Sequence, residues 1–310
     1  MSLRSRFAIP LLAGALAAAA PPPVKSTASS KLRVAFWPDQ GEPVTALTAR
    51  VNGEDARVVR IQRPDDDLLI LLVLDLAGDL SFVDPARKAA IEEIQKLNAN
   101  TQVGLLRAQD GLRVLEDPGA SRETLTSRIN ELTISGRAGL LDTVSTAAAL
   151  GDAILAKTRV RVALLYITDS SIYNYREDYT NPVVNSSDSG DMSRRFPEGL
   201  VKEKIRQLSA ALGPTQTPLF VVHLNYQNDR LNEAYQTGLL ELATSTGGAA
   251  DFCRSLADIP ASIGRMFQLI STHQTAEIEI KPGKAKQWDV VLSAEGRMLK
   301  FRNRFLSARR

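Results

Sequence analysis

Asp75 and Asp79 are the residues of this chain best placed to do chemistry. They close the stretch Leu74-Asp-Leu-Ala-Gly-Asp79, directly after the unbroken apolar run Leu68–Leu74. A run rich in Leu, Ile and Val without alternation reads as a strand buried on both faces. In open parallel α/β sheets, ligands bind outside the carboxyl ends of such strands. Two carboxylates at that place would suit a hard cation, which takes oxygen ligands. A second run of the same kind, Arg161–Thr168, ends in Asp169. The long polar stretch 170–196 follows and carries Tyr173, Tyr175, Arg176 and Tyr179. Tyr and Arg are enriched in interface hot spots, so these four side chains are expected on a ligand-facing loop. The alternative is an Asn/Ser/Asp-rich insertion without fixed structure, since loops of this length are uncommon unless functional or disordered.

The elements that must position these groups follow from pattern. Asp84-Pro85 reads as an N-cap with Pro at the first helical position, predicting a helix over Ala86–Leu97. Gln102–Arg107 reads as a strand, and Asp110-Gly111 turns it back into Leu112–Leu115. Ser121 opens a helix to about Leu132, and the Ala-rich Leu140–Ala156 is another. Gly199–Leu212, Leu231–Thr246 and Ile259–Thr272 complete the helices, with Gly247-Gly248 as a C-cap signal. Pro218–Asn225 and Ala250–Cys253 are the remaining strands of this region. Both ends of the chain differ. Val44–Val51 and Ala56–Gln62 bracket Asn52-Gly53, a strong hairpin signal, and Ala276–Ile280, Trp288–Ser293 and Met298–Phe305 alternate. The fold class is therefore α/β, doubly wound and Rossmann-like with a mainly parallel sheet, carrying a small antiparallel β-appendage from both termini. The expected division is 1–20, 21–30, 31–65, 66–272 and 273–310.

Composition removes several functions. The net charge of +3 and an aromatic content of 5% argue against a nucleic-acid-binding protein. Arg4 and Arg6, the apolar stretch Phe7–Ala20 and its alanine-rich end describe a secretory signal, too short for the ~20 residues of a membrane span. The chain is thus expected to be exported, periplasmic or secreted, with no span after signal removal. Cys253 is the single cysteine, so no internal disulfide forms, and its apolar setting reads as buried. His223 reads as a core histidine, and His273 as a helix cap or surface group. No nucleophile elbow, zincin, dinucleotide or P-loop motif occurs, so no enzyme activity is expected. The segment 281–310 holds nine Lys/Arg against two Asp/Glu and reads as a solvated strand face with a basic tail.

A strand ending in Asp-x-x-x-Asp, a Gly-containing loop before an Ala-rich helix, and a strand ending in Thr-Asp together resemble a von Willebrand factor type A domain over about residues 66–272. The hairpin around Gly41-Glu-Pro43 and Asn52-Gly53, and the segment Leu239–Ala249 ending in Thr-Gly-Gly-Ala, resemble exported bacterial von Willebrand factor A-related proteins of the acidobacterial type. The resemblance implies a metal-ion-dependent adhesion site. Its Asp-x-Ser-x-Ser positions fall on Asp75, Ala77 and Asp79, its Thr on Ala138 within Gly136–Asp142, and its last Asp on Asp169. Asp75, Asp79 and Asp169 are then the candidate ligands of Mg²⁺ or another divalent cation. Two hydroxyls are replaced by alanines, and Arg137 stands as a candidate counter-ion for Asp75 or Asp169, so a degenerate, metal-free or weakly binding site is favoured over a working one. Asp142 reads as an early-helix acid. The function expected is an exported, non-enzymatic binding or adhesion-like module using the carboxyl edge, with a protein partner. The alternative is a structural or assembly component of the envelope acting through the β-appendage and basic tail.

Overall fold

Turn chemistry and alternation set the first part of the chain. The computed structural model describes residues 30–39, 42–175, 197–281 and 285–307. Strands β1 (Ser30–Pro38), β2 (Thr48–Val51), β3 (Glu54–Ala56) and β4 (Val58–Gln62) come first. Asn52 and Gly53 both have positive φ, 52° and 83°, as the tight turn between β2 and β3 requires.

The centre then alternates: β5 (Leu68–Asp75), α1 (Leu80–Lys96), β6 (Thr101–Arg107), β7 (Arg113–Glu116), α2 (Arg122–Asn130), α3 (Leu140–Lys157), β8 (Arg161–Thr168), α4 (Pro197–Leu212), β9 (Leu219–His223), α5 (Arg230–Ser245), β10 (Ala249–Phe252) and α6 (Ile259–Thr272). Every residue of β5 and β8 is buried, which explains their unbroken apolar runs. The period-two pleat sorts β5 between two cores. Leu68, Ile70, Leu72 and Leu74 pack with residues of α1, α2 and α6, while Leu69, Leu71 and Val73 pack with α3, α4 and α5. Burying each such side chain contributes about 1.5–3 kcal/mol, so β5 and β8 are both strongly held.

The six-stranded sheet runs β10-β9-β8-β5-β6-β7, parallel except for β7, which returns antiparallel along β6. From β5 the chain first builds outward to β7 and then crosses to the other side of β5 through α3. The winding therefore reverses between β5 and β8, where open α/β sheets form their crevice. Register sets Asp75 beside Thr168, and Thr168 beside His223, in one row at the carboxyl ends.

After α6 come β11 (Gln274–Ile280), β12 (Gln287–Ser293), β13 (Leu299–Phe301) and β14 (Arg304–Leu306). Both chain ends interleave in two antiparallel sheets, β13-β1-β11-β4 and β14-β12-β2-β3, around a third core with Leu32, Phe36, Ile278 and Val290. This sandwich sits at the amino ends of the central strands. Trp37 Nε1 donates to the Leu269 carbonyl at 2.9 Å, and the Arg33 guanidinium reaches the Leu155 and Thr158 carbonyls. Arg161 is fully buried at the joint. Its guanidinium donates to the carbonyls of Pro64 (2.7 Å), Asp66 (2.9 Å), Ser271 (3.2 Å) and His273 (2.7 Å). Burial lowers its pKa to about 10.

Four expectations change. The helix expected from Ala86 begins at Leu80 with Asp79 as N-cap, and Pro85 lies inside it. Fully buried Val83 anchors the extra turn, so tertiary packing overrides the Asp-Pro signal. The expected strand Met298–Phe305 is two strands in different sheets, divided at Arg302-Asn303. The basic strand face is solvated at Lys281, Lys286, Lys300 and Arg304, as expected, but not at Arg302. The Arg302 guanidinium donates to the Thr215 (2.7 Å) and Gly213 (2.5 Å) carbonyls and stacks on Phe305, and Arg304 pairs with Asp289 at 3.0 Å. His273 is the C-cap of α6, and it is buried rather than at the surface.

Candidate functional site at the carboxyl edge

The last residue of β5 is the centre of the site. The Asp75 side chain is fully buried. Its Oδ1 accepts from the Gly139 N–H at 2.8 Å. Its Oδ2 accepts from the Leu140 N–H at 3.2 Å, the Thr168 hydroxyl at 3.0 Å and the Ser170 hydroxyl at 3.0 Å. Gly139 is the N-cap position of α3 and brings no side-chain cap, so the Asp75 carboxylate satisfies amides that the helix leaves unpaired. A Cβ on Gly139 would lie 1.8 Å from the Ala108 carbonyl oxygen, so only glycine lets this loop approach β6 closely enough. Burial pushes the Asp75 pKa up to about 6, against the lowering effect of its donors from Gly139, Ser170 and Thr168.

Asp169 is nearly buried, with 4% of its surface exposed. Its two oxygens accept from the Ala77 N–H (2.9 Å) and the Gly78 N–H (2.8 Å), so one carboxylate clamps the loop after β5 to the end of β8. Burial raises its pKa as well, opposed by those two amides. Asp79 is exposed and caps α1 by accepting from Ser81 N–H at 2.8 Å.

A polar chain extends behind Asp75. The Thr168 and Ser170 hydroxyls are 2.8 Å apart. His223 Nε2 donates to the Ser170 carbonyl at 2.8 Å, which leaves Nδ1 as a buried acceptor without a partner among the described residues. Burial lowers the His223 pKa to about 4, so the ring is neutral at pH 7. Tyr175 and Tyr235 join their hydroxyls at 3.1 Å, and the Tyr175 oxygen accepts from Leu141 N–H at 3.4 Å. Asn232 accepts from the Ile172 N–H at 2.8 Å and fixes the start of the loop after β8.

The sequence-derived residues thus divide. Asp75, Asp169 and Asp79 do lie at one edge, but each is an acceptor for backbone amides. Arg137 is exposed and does not act as the counter-ion of Asp75 or Asp169; its own N–H donates to Asp110 at 3.2 Å. Tyr175 is buried in the core rather than displayed, because its hydroxyl finds internal partners. Tyr173 is displayed, 52% exposed, with its hydroxyl donating to Asp229 at 2.9 Å. Arg176 and Tyr179 lie outside the described residues. Asp142 stands in the first turn of α3, as expected, and pairs with Lys204 at 3.1 Å. Ser170, Asn232 and Tyr235 were not foreseen as site residues. The Thr-Asp-Ser sequence at the end of β8 was the one available signal, since hydroxyls there face the neighbouring strand end.

The donor set does not suit a divalent cation. Mg²⁺ takes six oxygens in tight octahedral geometry. Ala77 and Ala138 offer no side-chain oxygen, Asp79 is used as a cap, and Asp75 Oδ2 already accepts three hydrogen bonds. Among the described residues, no three His, Cys, Asp or Glu side chains cluster as an ion's ligands would.

Counted within the central sheet alone, the strand order is 3-2-1-4-5-6 with the third strand antiparallel, and the first and fourth strands end in Asp75 and in Thr168-Asp169. The fold is a doubly wound, mainly parallel α/β sheet. No family model matches the sequence, and no curated protein does. Solved structures of von Willebrand factor A type resemble the chain at low identity. The von Willebrand factor type A protein from Catenulispora acidiphila shares 11% identity, with 90% of this chain and 74% of that one covered, at a TM-score of 0.46. The von Willebrand factor domain of the type V pili tip protein Mfa5 from Porphyromonas gingivalis shares 11%, covering 66% and 95%, at 0.42. Proximal thread matrix protein 1 from the mussel byssus, solved with a zinc-occupied adhesion-site motif, shares 11%, covering 72% and 49%, at 0.44. The chain therefore spans about half the length of the mussel protein. Among the described residues, no helix is long and apolar enough to cross a membrane.

Proposed function

We propose that this chain is an exported, non-enzymatic binding module that meets a protein partner through the carboxyl edge of its central sheet, at an adhesion-type site altered at Ala77 and Ala138. One observation carries the reading. The loops at that edge are pinned from beneath by Asp75 and Asp169, while Leu80 (59% exposed) and Tyr173 (52% exposed) stand out from them. Apolar and tyrosyl groups held on a rigid scaffold suit recognition, because little side-chain or loop entropy is lost on binding. Export rests on the basic and apolar pattern of residues 1–20. The non-catalytic reading is supported by the direction of the hydrogen bonds. The Ser170 hydroxyl donates to Asp75, and His223 meets the Ser170 carbonyl, so imidazole and hydroxyl are not paired as base and nucleophile.

Site-specific photo-crosslinking in the native host tests the proposal. A crosslinker at position 80 or 173 is expected to give a discrete protein adduct, and one at the exposed Val291 on the sandwich is not. Adducts from position 291 alone would move the contact to the β-sandwich and favour an assembly role. Absence of adducts from positions 80 and 173 overturns the proposal.

A further inference from the structure

The sequence resemblance brings with it the expectation of a cation at the carboxyl edge, and the geometry there disagrees. Four backbone N–H groups, those of Ala77, Gly78, Gly139 and Leu140, converge on the Asp75 and Asp169 carboxylates at 2.8–3.2 Å. Two of them belong to the N-terminal turn of α3, whose unpaired amides carry a partial positive charge of about half an elementary charge. Two hydroxyls, Thr168 and Ser170, add their protons to Asp75 Oδ2. These donors supply, from within the chain, the positive potential that an ion would otherwise bring to the same oxygens.

We infer that this edge works without a resident cation: Asp75 and Asp169 are internal acceptors that fasten the 76–79, 138–140 and 169–171 loops to one another. Ala77 and Ala138 remove oxygens, so an ion would lack protein ligands. The donors already in place would turn their positive ends towards any cation that reached the carboxylates, which raises the cost of its entry. Asp75 is wholly buried, so a hydrated Mg²⁺, which sheds water reluctantly, has no open approach to it. Gly78 belongs to the same design. A Cβ there would stand 2.9 Å from Asp169 Oδ2, so glycine lets the amide come close enough to bond.

The inference rests on the carboxyl edge being the working face only for its interest, and its test reads metal without a partner. Amide spectra of the ¹⁵N-labelled chain are recorded during titration with Mn²⁺, whose unpaired electrons broaden nearby resonances. The Ala77, Gly78, Gly139 and Leu140 amides are expected to keep their line widths at an excess of Mn²⁺. Broadening confined to amides around exposed acids of the sandwich, such as Asp55, agrees with the inference, since the edge is then still free of the ion. Selective broadening of those four amides at substoichiometric Mn²⁺, reversed by Mg²⁺, overturns it. Failure of the crosslinking experiment would leave this result standing, and a bound ion would leave the crosslinking result standing.

Discussion

The Thr168 hydroxyl donates to the Asp75 carboxylate at 3.0 Å, across the register pair that ends β5 and β8. That bond joins the two strands flanking the reversal point of the sheet. It also couples the loop after β8 to the start of α3, because Asp75 holds Gly139 and Leu140 with its remaining capacity. The behaviour of the carboxyl edge should therefore follow the state of one carboxylate.

Stability is expected to respond to the titration of Asp75. Its folded pKa of about 6 lies above the ordinary 3.8, so the native state binds the proton more tightly than the unfolded chain. The stabilisation from this group is fully present below about pH 4 and is lost as pH rises through about 6. At 1.36 kcal/mol per pKa unit the change is about 3 kcal/mol. Urea unfolding of the wild type and Asp75→Asn between pH 4 and pH 7.5 measures it. The variant's stability relative to wild type should improve as pH rises, and a pH-independent difference would count against the assignment.

Removing the hydroxyls should weaken the edge without emptying the core. Thr168→Val keeps shape and deletes one donor to a buried carboxylate, at an expected cost of about 1–3 kcal/mol. Ser170→Ala should cost a similar amount. The two hydroxyls touch each other at 2.8 Å and share Asp75, so the double variant is expected to depart from additivity by more than about 0.5 kcal/mol. A double-mutant cycle by chemical denaturation provides the number, and strict additivity would deny the coupling.

The joint at the opposite end should depend on Arg161. Its guanidinium bridges four carbonyls on two connections between the α/β part and the sandwich. Arg161→Met leaves those carbonyls without their donor and should cost about 3–5 kcal/mol. Arg161→Lys should recover little, since a point ammonium cannot span a planar fork of acceptors. Limited proteolysis is expected to open first near residues 63–67 and 271–273 in both variants. Unchanged cleavage would show that the sandwich is held by other contacts.

Much of this architecture was legible in the residues. The runs Leu68–Leu74 and Arg161–Thr168 announced strands with two covered faces, and Asn52-Gly53 announced its turn, because those signals are local. The extent of α1 was not legible, since Asp84-Pro85 imitates a helix start and only the burial of Val83 shows that the helix begins earlier. The split between β13 and β14 depends on which sheet captures each half, which no period reveals. At the site, the positions of Asp75, Asp79 and Asp169 at one edge could be read from strand ends. Their hydrogen-bond partners could not, because backbone amides are contributed by every residue type. For the same reason Arg137 looked like the natural counter-ion, while neutral N–H groups took that part. Tyr175 and Tyr173 stand two residues apart in one polar segment, yet a 3₁₀ turn sends one inward and leaves the other in water.

The pairing of β1 with β11 joins Ser30 to Ile280. Contacts between residues so far apart in sequence form late, because the loop entropy must be lost before the pairing returns anything. During synthesis the α/β part can close on itself while β1, β4 and the β2–β3 hairpin wait for partners near the other end. Those waiting strands carry exposed backbone donors and acceptors, the feature that invites mispairing between chains. The sandwich is thus a clasp that only a full-length polypeptide can fasten, and a chain interrupted before β11 would present a finished core beside unpaired edges.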